Sequence, residues 1–139
     1  MNRTAKAVWE GAIKDGSGVI TTGSKTLDNT PYSFKSRFEG GTGTNPEELI
    51  GAAHAGCFAM ALSLMLGEAG FTPQSLDVNA TVTLDEKKLE VTHSALELKA
   101  KIPNIDAAKF SEIASAAKAN CPISKLLKTE ISLDAKLVD

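Results

Sequence analysis

The sequence has no excess of basic residues. Fifteen Lys and Arg stand against seventeen Asp and Glu, a formal charge of −2 with a pI near 5.7. Nucleic acid and anionic membrane surfaces therefore find no electrostatic footprint, and neither is expected as a partner. Long apolar runs are also missing. The longest weakly polar stretch, residues 51–66, contains His54 and Ser63 and falls short of the ~20 residues that cross a bilayer. Residues 1–10 lack the apolar segment of a secretory signal, so the expectation is a cytoplasmic protein. Cysteine is scarce, at two residues, and in a reducing compartment such a pair is more often reactive than a structural staple. No internal repeat or low-complexity segment occurs. What is present, 139 residues with 42% hydrophobic and 23% charged, suits one folded domain over residues 1–139 and argues against disorder.

Apolar periodicity sets the architecture. Residues 4–11 with Val8 and Trp9, the β-branched stretch 17–22, and the alternation Tyr32, Phe34, Ser36, Phe38 predict a small antiparallel meander. Asp15-Gly16 and Asp28-Asn29 mark its turns. On this reading Arg37 projects from the polar face of the third strand. Glu39-Gly40-Gly41-Thr42-Gly43 lacks the lysine and spacing of a phosphate-binding loop and serves as a connection. Asn45 as N-cap, Pro46 at the first helical position, and Glu47 and Glu48 in the first turn then open a helix. Glu48, three residues after Asn45, is placed to fold back as a capping box. The helix ends near residues 67–70.

Between residues 51 and 66 that helix is apolar or small on nearly every face and must be covered on all sides. Residues 45–69 would measure about 37 Å at ~1.5 Å per residue. A domain of this size is about that wide, so one subunit can hardly wrap the helix along its length. A homodimer with a shared core is the expected solution. Downstream, Leu76, Val78, Ala80, Val82 and Leu84 alternate with polar residues in a half-buried strand. A returning strand changes phase near Ser94-Ala95, which predicts a bulge. A helix over 106–119, a short helix after Asn120-Cys121-Pro122 and a last strand 131–137 complete an α+β fold of antiparallel sheets packed around a long central helix.

Few residues are equipped for chemistry. Cys57, mid-helix between Gly56 and Phe58, reads most simply as an inert core thiol. Cys121 lies at an N-cap with Pro122 behind it, facing unpaired backbone N–H groups that lower a thiol pKa; a plain capping role would explain it equally. Taken singly, Arg37 and Glu47 are solvated surface charges. His54 is one turn before Cys57, and a metal site with Cys121 and His93 is conceivable but weakly signalled. No Ser–His–acid signature is present. From spacing alone, the chain is a soluble dimeric α+β protein with a cysteine pair open to redox chemistry.

Arg37-Phe38-Glu39-Gly40 and the string Gly43-Thr44-Asn45-Pro46-Glu47-Glu48-Leu49-Ile50-Gly51-Ala52-Ala53-His54-Ala55-Gly56-Cys57-Phe58 resemble the osmotically inducible protein C (OsmC) branch of the OsmC/Ohr family. So do residues 63–73 and Asn120-Cys121-Pro122-Ile123-Ser124, and the likeness runs essentially end to end. Arg37 in its Arg-Phe-Glu-Gly context fits the OsmC rather than the Ohr branch, whose arginine comes from elsewhere in the chain.

The resemblance implies an OsmC-like intertwined homodimer and a thiol peroxidase that reduces organic hydroperoxides. Cys57 matches the peroxidatic cysteine, Cys121 the resolving one, and Arg37 and Glu47 the pair that activates the thiolate. A lipoyl or similar dithiol would be the reductant, with no metal and no cofactor. The residue types suit that chemistry. A thiol of pKa ~8.5 is mostly protonated at neutral pH, so a nearby guanidinium raises the attacking species. Arginine stays charged, and a carboxylate holds its fork by a bidentate bridge. The Cys57 sulfenic acid would condense with Cys121 to a disulfide. Ten helical residues separate Glu47 from Cys57, about 15 Å of rise. The charged pair is therefore expected to serve the cysteine of the other subunit, unless the helix breaks. A non-catalytic stress-related binding or metal-holding protein is the rival reading.

Overall fold

The short β-branched segments pair as the alternation dictates. In the computed structural model, which describes residues 1–139, β1 (Ala5–Glu10), β2 (Ser17–Thr22) and β3 (Thr30–Tyr32) form an antiparallel sheet in that order. Trp9 and Tyr32 meet on it with ring centroids 5.5 Å apart. Asn29 turns the chain into β3 at φ 50°, a left-handed conformation asparagine tolerates.

The predicted third strand stops earlier than expected, and Arg37 is on a helix. Residues Phe34–Phe38 form α1, capped by Ser33. The Ser33 hydroxyl accepts from Ser36 N–H at 3.1 Å, and the Ser36 hydroxyl accepts from Ser33 N–H at 2.8 Å. The apparent alternation has a helical explanation, because Phe34 and Phe38 are four residues apart and stack at 4.9 Å. These elements belong to the first of two compact units, Met1–Leu49; the second is Ile50–Asp139.

α2 (Pro46–Glu68) runs unbroken for 23 residues. Asn45 caps it, accepting from Glu48 N–H at 2.8 Å. The Glu48 carboxylate does not return to the cap as expected; it accepts from the Thr44 hydroxyl at 2.7 Å, one residue before the cap. At the other end Gly70, at φ 89°, closes the helix: Phe71 N–H reaches Leu66 C=O at 2.8 Å and Gly70 N–H reaches Gly67 C=O at 3.0 Å. By length and composition α2 could cross a membrane, a span longer than the apolar run suggested. Its buried residues, however, fall on one stripe: Gly51, His54, Phe58, Leu62 and Leu66.

In the second unit β4 (Ser75–Asp85) and β5 (Glu90–Lys101) pair antiparallel. The bulge lies opposite Thr83/Leu84, where Thr92 is the extra residue, slightly before the predicted Ser94-Ala95. It sets Ser94, Leu96, Leu98 and Ala100 on the buried face of β5. α3 (Ala107–Asn120), capped by Asp106, and α4 (Pro122–Leu126), capped by Cys121, follow. β6 (Glu130–Leu137) then joins β5 in parallel, which departs from the antiparallel expectation for that one strand. The reason is topological: the two helices carry the chain back to the start of β5, as parallel neighbours require. Phe58, Leu62 and Leu66 of α2, the inner residues of β5, and Phe110, Ile113, Ala114 and Ala117 of α3 share one core. α2 approaches β4 so closely that a Cβ on Gly51 would sit 3.3 Å from Ala80 O.

The stripe of α2 opposite this core, Ala52, Ala53, Gly56, Met60, Ser63 and Leu64, is exposed, with Met60 at 77% and Leu64 at 65%. Within one chain the helix is covered on one side only.

Candidate active site

Helical spacing places His54 and Cys57 on neighbouring positions of α2, His54 buried and Cys57 half-buried. Cys121 reaches the same place from the α3–α4 junction. It is both the C-cap of α3 and the N-cap of α4, with Pro122 at the first position, as its sequence context predicts. Both cysteines are free thiols. Cys57 packs against the buried cluster that contains Cys121, each thiol is among the groups that act on the other's acidity, and the Ile123 N–H acts on both.

The two thiols are displaced in opposite directions. Burial pushes Cys57 above the ordinary thiol value, Cys121 adds to the rise, and the Ile123 N–H only partly opposes it. No basic side chain of this unit helps to ionise it. For Cys121, burial also works against the thiolate. It is outweighed by the Ser124 hydroxyl and N–H, by Cys57 and by the Ile123 N–H, and the net direction is downward. Ser124 N–H donates to the Cys121 sulfur at 3.3 Å, with the Ser124 hydroxyl 3.4 Å from the same atom.

Arg37 and Glu47, both in the first unit, are brought together. Arg37 Nη2 lies 2.7 Å from one Glu47 oxygen, and Nε lies 3.2 Å from each oxygen. The carboxylate thus grips the edge of the guanidinium and leaves its far side free. The Phe38 ring sits 5.3 Å below the guanidinium carbon. Ser36 fixes the two helices that carry this pair: its hydroxyl donates to Thr44 C=O at 2.7 Å, and its own carbonyl accepts from the Asn45 side chain at 3.3 Å.

His54 is not a free ligand. Its Nδ1 lies 2.7 Å from Ser94 Oγ and its Nε2 lies 2.8 Å from Ser124 Oγ. Burial lowers its pKa, which keeps the ring neutral. His93 is a separate, partly buried strand histidine 2.8 Å from Ser132 Oγ. The conceivable grouping of His54, His93, Cys57 and Cys121 around a metal does not assemble. Ser94 and Ser124 were not legible as site residues; the one available signal was Ser124, three residues after the N-cap Cys121, where a side chain can return to the cap.

The family model described as OsmC-like protein matches residues 39–136. Peroxiredoxin OsmC of Escherichia coli (strain K12) is 54% identical over 139 residues, covering 99% of this chain and 97% of that protein. The chain belongs to the OsmC branch of the OsmC/Ohr family. Its similarity to the organic hydroperoxide resistance protein OhrB of Bacillus subtilis is lower, 31% over 140 residues and 96% of each chain. The crystal structure of an OsmC-like protein from Mycoplasma pneumoniae superposes with a TM-score of 0.78 at 16% identity, over 100% of this chain and 99% of that one. The α+β fold around a long helix is therefore the OsmC fold. In this OsmC chain the matched span includes Glu47, Cys57, Cys121, His54, Ser94 and Ser124, and begins two residues after Arg37.

Proposed function

We propose that this OsmC-family protein is a cysteine-based peroxidase that reduces organic hydroperoxides to alcohols, with Cys57 peroxidatic and Cys121 resolving. The observation that carries the reading is the approach of two free thiols from distant parts of the chain, one half-buried and one sealed, close enough for each to act on the other's acidity. The names of the relatives, a peroxiredoxin and an organic hydroperoxide resistance protein, point the same way. The Cys57 thiolate attacks one peroxide oxygen, the O–O bond breaks, and the alkoxide leaves and takes a proton. Cys57 is then a sulfenic acid, which condenses with Cys121 to a disulfide and water. A dithiol, a lipoyl group on our reading, returns both thiols. The chain works as one domain in the cytoplasm, where such reductants keep cysteines reduced.

Cys57 cannot ionise readily in the environment its own unit provides, so a cation must reach it. The Arg37–Glu47 pair supplies one in the right form, a permanently charged fork with a free edge for the peroxide oxygens. Because α2 does not break between Glu47 and Cys57, the ~15 Å of helical rise stands, and the pair serves the cysteine of a second copy. A homodimer also accounts for two exposures: the apolar stripe of α2, and a β1 in which only Trp9 is even partly covered. A three-stranded sheet needs a covered apolar face or a helix packed on it to be stable.

One equivalent of cumene hydroperoxide per chain should remove both free thiols and leave a Cys57–Cys121 disulfide by mass spectrometry. Thiols that survive the peroxide, or release of zinc in place of oxidation, would instead establish a binding or metal-holding protein. For the dimer, sedimentation should give about twice the 14.6 kDa chain mass. Leu64→Glu should convert it toward monomer, since a charge in a buried apolar interface costs several kcal/mol, on the order of 3. An unchanged sedimentation coefficient in that variant would remove the second copy from the α2 stripe.

A further inference from the structure

Cys121 is completely buried, so no solvent molecule takes its proton when it attacks the sulfenic acid. The buried groups beside it form a continuous chain: Cys121 Sγ, Ser124 Oγ at 3.4 Å, His54 Nε2 at 2.8 Å from that oxygen, then His54 Nδ1 and Ser94 Oγ at 2.7 Å. His54 and Ser94 are wholly buried and Ser124 nearly so. A histidine kept for packing needs two hydrogen-bond partners. Here one partner is also in contact with a sulfur on which the proposed disulfide forms.

We infer that His54, through the Ser124 hydroxyl, is the proton acceptor that readies Cys121 for disulfide closure. The inference rests on the peroxidase reading of Cys57 and Cys121. A serine hydroxyl has one proton, and this fixes how the chain operates. With Cys121 as a thiol, its S–H donates to Ser124 Oγ and the Ser124 O–H donates to His54 Nε2. Nδ1–H donates to Ser94 Oγ and holds the tautomer. Moving one proton along each link leaves a Cys121 thiolate accepting from Ser124 and an imidazolium donating to Ser124. A lone imidazolium is disfavoured in this buried place, but the thiolate formed in the same event is its counter-charge. The thiolate attacks the Cys57 sulfur, the S–S bond forms, and the S–O bond breaks. The departing hydroxide takes one proton, equal to the one His54 gives back. The net products are a disulfide, one water and a neutral imidazole. The downward displacement of Cys121 by the Ser124 hydroxyl and N–H agrees with this direction of transfer.

The test is a single turnover with cumene hydroperoxide, following Cys57 oxidation by dimedone trapping and closure by loss of the second thiol, with circular dichroism to match folded fractions. In Ser124→Ala the ratio of closure rate to oxidation rate should fall about a hundredfold, the lower range for a positioned acid–base group. Ser124→Thr, which keeps a hydroxyl, should restore it. His54→Gln keeps a hydrogen bond to Ser124 but cannot hold the proton, and should be as slow as Ser124→Ala. A wild-type ratio in Ser124→Ala overturns the inference. So does rapid closure in His54→Gln, which would reduce His54 to a packing residue. Survival of both thiols in the wild type after one equivalent of the peroxide would sink the peroxidase reading itself, a separate outcome.

Discussion

Cys57→Ser should lower hydroperoxide consumption to the uncatalysed background, a loss of about 10⁴-fold or more, because it removes the one group proposed to attack the peroxide. The hydroxyl is nearly isosteric, so the Phe58, Leu62 and Leu66 core of the same helix is undisturbed and thermal stability should hardly move. A structural role for the thiol predicts the reverse, altered stability with activity kept. Cys121→Ser provides the contrast. It should complete one round of reduction, accumulate the sulfenic acid, and fail to recycle, with sulfinic acid appearing under excess peroxide. Peroxide consumption and mass spectrometry distinguish the two variants in one experiment. Full activity in Cys57→Ser would end the mechanism.

Mixing protomers gives the second large effect. Arg37→Ala alone and Cys57→Ser alone should each be inactive as homodimers. When the two are denatured together and refolded, half of the dimers are mixed. If each arginine serves the opposite cysteine, a mixed dimer holds one intact site of two, and about a quarter of wild-type turnover should return. If each arginine serves its own cysteine, no mixed dimer contains an intact site and nothing returns. The bidentate Arg37–Glu47 contact makes the corresponding experiment with Glu47→Ala informative too, since that change frees the guanidinium without removing it.

Much of this molecule was legible from periodicity and caps. The Asn45-Pro46 start and the Gly70 end of α2 were readable because cap residues carry specific backbone chemistry. The alternation of β4 survived intact because one face is half-buried and the other wet. Cys121 at a helix start could be read from the proline that follows it. α1 was not legible, because over five residues an apolar period of two coincides with a pair four apart, and only the Ser33–Ser36 capping box separates them. The parallel entry of β6 escaped because strand composition says nothing of direction; the two preceding helices decide it. The His54 network escaped for a different reason. It joins residues 54, 94 and 124 through contacts between side chains, and no local pattern records a contact across forty or seventy positions.

The unequal exposure of the two sulfurs also governs how the oxidised enzyme is reset. On the proposed chemistry an incoming dithiol meets the outer sulfur, that of Cys57, and the first mixed disulfide forms there. Cys121, sealed and stabilised as an anion by Ser124, is then the departing group, and exchange is faster when the group expelled is the more acidic one. The same asymmetry that hides one sulfur from peroxide thus gives regeneration a single direction.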